Sequence, residues 1–108
     1  MNEPDAVKAL AALAQETRLK LFRLLVVAGK AGLTPSSMSQ TLEVPATALS
    51  FHLKELHHAG LVTGERDGRH IIYRADLVRM NALLAFLTAE CCQGEPCAEV
   101  SVPVCTHC

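Results

Sequence analysis

Five cysteines, Cys91, Cys92, Cys97, Cys105 and Cys108, fall within the last eighteen residues of this 108-residue chain. The ninety residues before them contain none. Thiolates are soft ligands that select thiophilic ions over calcium or magnesium. Gly94 and Pro96 stand between the adjacent pair and Cys97; glycine ends helices and proline cannot continue one. The chain is therefore expected to reverse there and gather Cys91, Cys92 and Cys97. Three close thiolates suit a pyramidal trivalent ion, arsenic(III) or antimony(III), better than tetrahedral zinc. Cys105-Thr106-His107-Cys108 competes: a Cys-x-x-Cys pair with two upstream cysteines would close a four-cysteine zinc site. A pair so close to a chain end is, however, poorly anchored. Redox-active pairs sit at helix N-termini, where the dipole favours thiolate. Cys91 and Cys92 are expected at the C-terminal end of a helix, where it does not. No serine, lysine or histidine arrangement reads as a nucleophilic centre, so the chain does not read as an enzyme. The odd cysteine count argues against a disulfide framework.

The rest of the chain must give that thiol chemistry a purpose. Half of all residues are apolar, enough for one ordinary core. Ten basic residues against eleven acidic ones leave a net charge of −1, so a nucleic-acid site would have to be a local patch. The apolar runs are too short for a bilayer, and no membrane partner is expected. The acidic start Met1-Asn2-Glu3-Pro4-Asp5 has no signal core, which points to the cytoplasm and reduced thiols.

Pro4-Asp5 opens a helical pattern that continues through Val7, Leu10, Leu13 and Ala14. A second helix is expected over about 16–27 with Leu19, Phe22, Leu25 and Val26 inward. Gly29 and Gly32 interrupt the pattern. Thr34 is an N-cap candidate before Pro35, opening a short helix to Leu42 that buries Met38 and Leu42. Glu43-Val44 is a tight connection. From Pro45 a further helix carries Leu49, Leu53 and Leu56 to the Ala59-Gly60 stop. The period then becomes extended: Leu61-Val62-Thr63 and His70-Ile71-Ile72-Tyr73 flank Gly64–Arg69, with Asp67-Gly68 as the hairpin signal. A last helix begins near Asp76. Leu77, Met80, Leu84 and Leu87 form a coiled-coil-like seam, widened by Leu83 and Phe86, that either packs into the core of one subunit or meets a second one.

Two short helices, a tight turn and a hairpin make a winged helix-turn-helix: a mainly α chain with a β-hairpin (α+β). Its second helix would enter the major groove of DNA. Core positions aside, that helix offers Ala46, Thr47, Ser50, Phe51, His52 and Lys54. Thr47, Ser50 and His52 could meet base edges or phosphates, and Lys54 would attract phosphate. Arg66 and Arg69, on either side of Asp67-Gly68, suit the minor groove or the backbone.

Leu13–Leu19 (Leu-Ala-Gln-Glu-Thr-Arg-Leu), Ala48–Leu56 (Ala-Leu-Ser-Phe-His-Leu-Lys-Glu-Leu), Ala59-Gly60-Leu61-Val62 and Arg66-Asp67-Gly68-Arg69 ending in Tyr73 together resemble the ArsR/SmtB family of metal-responsive repressors. The resemblance covers roughly residues 6–90 and is specific as a set. It implies a homodimer of five helices with the hairpin before the last, operator DNA as partner, and release when a metal or metalloid binds. Ser50 and His52 match the family's Ser-x-His in the recognition helix; Pro45 departs from the polar residue many relatives carry. The resemblance also implies a dimer interface between the first and last helices, formed here by Leu10, Leu77, Met80, Leu84 and Leu87. The family's Cys-x-Cys inducer run is absent from Leu33–Met38. The last helix has Asp76 and Asn81 but no histidine for the family's zinc pair. The segment Glu90-Cys91-Cys92-x-Gly94 with Cys97 resembles the tail of arsenite-responsive members.

The expected organisation is a DNA-binding and dimerisation domain over 1–90 and a metalloid-binding tail over 91–108. The expected function is a repressor released when As(III) or Sb(III) binds Cys91, Cys92 and Cys97. Sites recruiting Cys105 or Cys108, a zinc/cadmium-type or thiol-redox-sensing repressor, and a thiol-rich metal buffer are the alternatives.

Overall fold

The computed structural model describes residues 1–89 and Gln93. Helix α1 (Glu3–Leu13) starts where the Asn2 side chain accepts from Asp5 N at 2.9 Å, with Pro4 in the first turn. Gln15 caps α2 (Glu16–Ala28) in the same way, accepting from Arg18 N at 2.8 Å. Arg18 Nε also donates to Ala12 O at 2.8 Å, which fixes the corner between the two helices. Gly29 (φ +64°) ends α2 and leads into a 3₁₀ turn, Gly29–Ala31. Thr34 caps α3 (Pro35–Leu42) through Ser37 N at 3.3 Å. Glu43, at φ +54°, turns the chain; Val44 N donates back to Ser39 O and the Ser39 hydroxyl donates to Val44 O. Helix α4 (Ala46–His58) follows. Strands β1 (Val62–Asp67) and β2 (His70–Ala75) pair antiparallel, Val62 opposite Ala75 and Asp67 opposite His70. Asp76 caps α5 (Leu77–Leu87), accepting from Arg79 N at 2.9 Å.

The core lies where α2, α3 and α4 meet the root of the hairpin. Leu21, Leu25, Met38, Leu49, Leu56 and Leu61 are its fully buried large side chains. Burying each leucine stabilises by roughly 1.5–3 kcal/mol. No charged or polar residue is buried among the described residues. The hairpin is tied to the helices by a reciprocal bridge: Leu33 N donates to Tyr73 O at 3.0 Å and Tyr73 N to Leu33 O at 2.8 Å. Gly32 permits it. At φ +66°, a Cβ there would lie 2.7 Å from Tyr73 O.

Three expectations are corrected, and α1 shows an inward face that the periodicity alone does not name. On α1 the buried residues are Ala6, Ala9 and Ala12, while Val7 and Leu10 are 64% and 42% exposed. On α2, Leu21 replaces Leu19 and Val26 in the core; both are exposed. The strands reach further than Thr63 and Tyr73, so the hairpin loop is Gly68-Arg69, with Gly68 at φ +62° as a two-residue loop opening on glycine requires. Finally, α5 stops at Leu87, where Thr88 N and Oγ both donate to Leu84 O. Among the described residues the helix therefore ends at Leu87, earlier than the expected end near residue 92. The cysteines themselves, and the division at residue 90, lie outside the described residues.

Candidate nucleic-acid interface

Helix α4 buries Leu49, Leu53 and Leu56 along one stripe. By helical period, Thr47, Phe51, Lys54 and His58 form the opposite stripe, and all four are exposed. Toward the wing, Ser50, Lys54, His57 and His58 share an open groove of about 550 Å³ with Gly64, Arg66, Ile71 and Tyr73. Cations line both walls: Lys54 on the helix and Arg66 on β1. His57 and His58 occupy the last turn of α4. A chain of net charge −1 thus still brings Lys54 and Arg66 together in one groove.

Ser50, Lys54 and Arg66 are thus brought together, and Thr47 stands exposed on the crest of the same helix. Arg66 belongs to strand β1, opposite Ile71, while Arg69 sits in the exposed hairpin loop. His52 is half-buried and does not line the groove. Its Nδ1 is buried with no hydrogen-bond partner, and its ring meets Phe51 edge-on at 5.6 Å between centroids and 65° between planes. Burial first, and the Arg18 charge second, push its pKa below the ordinary histidine value, so near neutral pH the ring is uncharged. It offers no cation to a phosphate. His57 and His58 were not among the sequence candidates, although they lie seven residues after Ser50 and four after Lys54, on the same helical face.

The wing is held in place on its outer side as well. Arg74 Nε donates to Lys30 O at 2.7 Å, and Arg74 Nη1 lies 3.8 Å from Glu65. Gly60 (φ +78°) turns the chain from α4 into β1, and Arg79 of α5 covers it: a Cβ at Gly60 would stand 3.2 Å from Arg79 Nε. Arg79 also reaches Asp5 of α1 at 3.7 Å.

Of the proposed interface residues, Leu10 and Leu87 are 42% and 53% exposed, and Leu77, Met80 and Leu84 are half-buried. Among the described residues no group of three or more His, Cys, Asp or Glu side chains is placed to hold a metal ion. No described helix is long and apolar enough to cross a membrane.

Known proteins share this fold. Residues 13–65, from the end of α1 into the wing, match the family model of a helix-turn-helix domain. The protein named "Putative arsenical resistance operon repressor ArsR" in Halobacterium salinarum is 42% identical over 75% of this chain; the match spans 61% of that protein's length. The transcriptional activator HlyU of Vibrio cholerae is 30% identical over 86% of this chain and 83% of its own. The solved structure of an ArsR-like transcriptional regulator from Rhodococcus sp. RHA1 superposes with a TM-score of 0.70 at 33% identity, over 78% of this chain and 76% of that one.

Proposed function

We propose, from the premise that this chain belongs to the ArsR/SmtB family of helix-turn-helix transcriptional regulators, that it is a dimeric repressor released from operator DNA by trivalent arsenic or antimony. The observation that carries the DNA half is the groove in which Ser50, Lys54 and Arg66 converge beside a helix whose leucines are already buried. Phosphate attraction comes from Lys54, Arg66 and Arg69, and base-edge contact from Thr47 and Ser50. His52 acts through packing rather than charge. A second copy of the chain covers Leu10, Leu77, Met80, Leu84 and Leu87, so that two α4 helices address successive half-sites.

The inducer half rests on the thiols. Arsenous acid exchanges its three hydroxyls for the sulfurs of Cys91, Cys92 and Cys97, taking three thiol protons and releasing three waters. The resemblance to an arsenical resistance repressor supports this choice of ion. Binding beyond the end of α5 would bias the helix that carries the dimer seam. A coupling of about 1–3 kcal/mol changes DNA affinity by roughly 5- to 150-fold.

The test uses the reduced full-length protein with its own promoter region. A sequence-selective complex that arsenite dissociates is expected, and Ser variants of Cys91, Cys92 or Cys97 should bind DNA but no longer respond. Undiminished release from all three variants would overturn the triad. A zinc-type site recruiting Cys105 and Cys108 would instead show four sulfur neighbours by X-ray absorption, lost on truncation before Cys105. Absence of any selective complex would favour a thiol-rich metal buffer.

A further inference from the structure

We propose that Phe51 is a base-reading residue, its ring packing on the C5-methyl group of a thymine in the major groove. The inference rests on the DNA-binding reading above and adds to it a base preference. Phe51 is 56% exposed on α4. The core needs of this helix are met by Leu49, Leu53 and Leu56, so the ring is not a displaced core residue. By helical period it stands on the outward crest, one turn from Thr47 and three residues from Lys54, beside Ser50. Its neighbours one turn away are Thr47, Ala48, Lys54 and Glu55, a mixed surface unlike the continuous apolar patch that a protein partner would need. A phosphate would gain nothing from a ring, whereas thymine presents a methyl group in the major groove that apolar side chains recognise.

The ring is also braced. His52 meets it edge-on at 5.6 Å, and His52 is itself half-buried. A side chain already restrained loses less freedom on binding. Thymine differs from uracil by this one methyl. Burying a methyl group is worth about a fourfold change in affinity at each half-site and about fifteenfold for two.

The experiment begins with duplexes selected from a random pool by the reduced full-length protein. Each thymine of the best duplex is then replaced by deoxyuridine. One symmetry-related pair of replacements should weaken wild-type binding by about fifteenfold, and Phe51→Ala should bind both duplexes alike. Phe51→Leu should keep part of the preference. Circular dichroism and melting of each variant verify folding, which an exposed position should not disturb. If wild type selects a sequence yet ignores every deoxyuridine, or if Phe51→Ala retains the preference, the thymine contact is wrong while the DNA-binding reading stands. If no sequence is selected, the DNA-binding reading itself fails and this inference with it.

Discussion

Helices α4 and α5 are similar in length and opposite in how they are satisfied. Helix α4 alternates leucines with polar groups, buries Leu49, Leu53 and Leu56 within its own subunit, and turns a polar face outward. In α5 nine of eleven residues are apolar, yet Leu83 is its single buried residue, with Val78 and Leu87 largely in water. A helix apolar nearly all round belongs in an interior. The difference teaches that α4 is complete and has a surface to spend on a polar partner, whereas α5 lacks part of its interior. A second copy of α5 and α1 would supply it.

The contrast can be broken most forcefully at Leu56, which is fully buried. Leu56→Ala should cost about 2–5 kcal/mol in chemical denaturation. A loss below about 1 kcal/mol would mean that α4 is not the better-anchored helix. Next in size is Leu87→Asp. It should leave the subunit folded but raise the dimer dissociation constant at least tenfold in sedimentation equilibrium, worth about 1.4 kcal/mol or more. An unchanged constant would remove α5 from the interface. On the outward face of α4, Lys54→Ala should flatten the logarithmic salt dependence of DNA binding by about one unit per subunit, weakening all sequences alike. A loss confined to one sequence would make Lys54 a base contact.

The smallest effect concerns His52. Its folded pKa lies below the unfolded value of about 6.5, so the unfolded chain takes up a proton that the native ring resists. Stability should hold above about pH 6.5 and decline as pH falls through that value toward the lower folded pKa. His52→Gln should flatten the decline between pH 7.5 and 5 in denaturation midpoints. An identical slope in both proteins would show that the ring is as solvated as in the unfolded chain.

Much of this was legible in advance where local chemistry is decisive. Thr34, Asp76, Gly29 and the Ala59-Gly60 stop mark element ends because capping and left-handed turns depend on a few adjacent residues. Faces were harder. On α1, Val7 and Leu10 outrank alanine in hydrophobicity, yet the face turned inward is that of Ala6, Ala9 and Ala12. On α2, so many positions are apolar that two registers satisfy the same period, and packing chose Leu21 over Leu19. In the candidate site, Ser50, Lys54 and Arg66 followed from the motif, while His57 and His58 entered only once β1 and β2 were folded over the last turn of α4.

The bridge between Leu33 and Tyr73 has a kinematic consequence. It joins the strand that leads into α5 to the residue just before the Thr34 cap of α3, with Asp76 N donating to Leu61 O at 2.8 Å alongside it. Wing and reading head therefore share no free hinge. In the repressor proposed above, a displacement entering through the first turn of α5 would be delivered to the wing and the reading head together, so that a rotation of a few degrees would be lengthened into a shift at the second half-site.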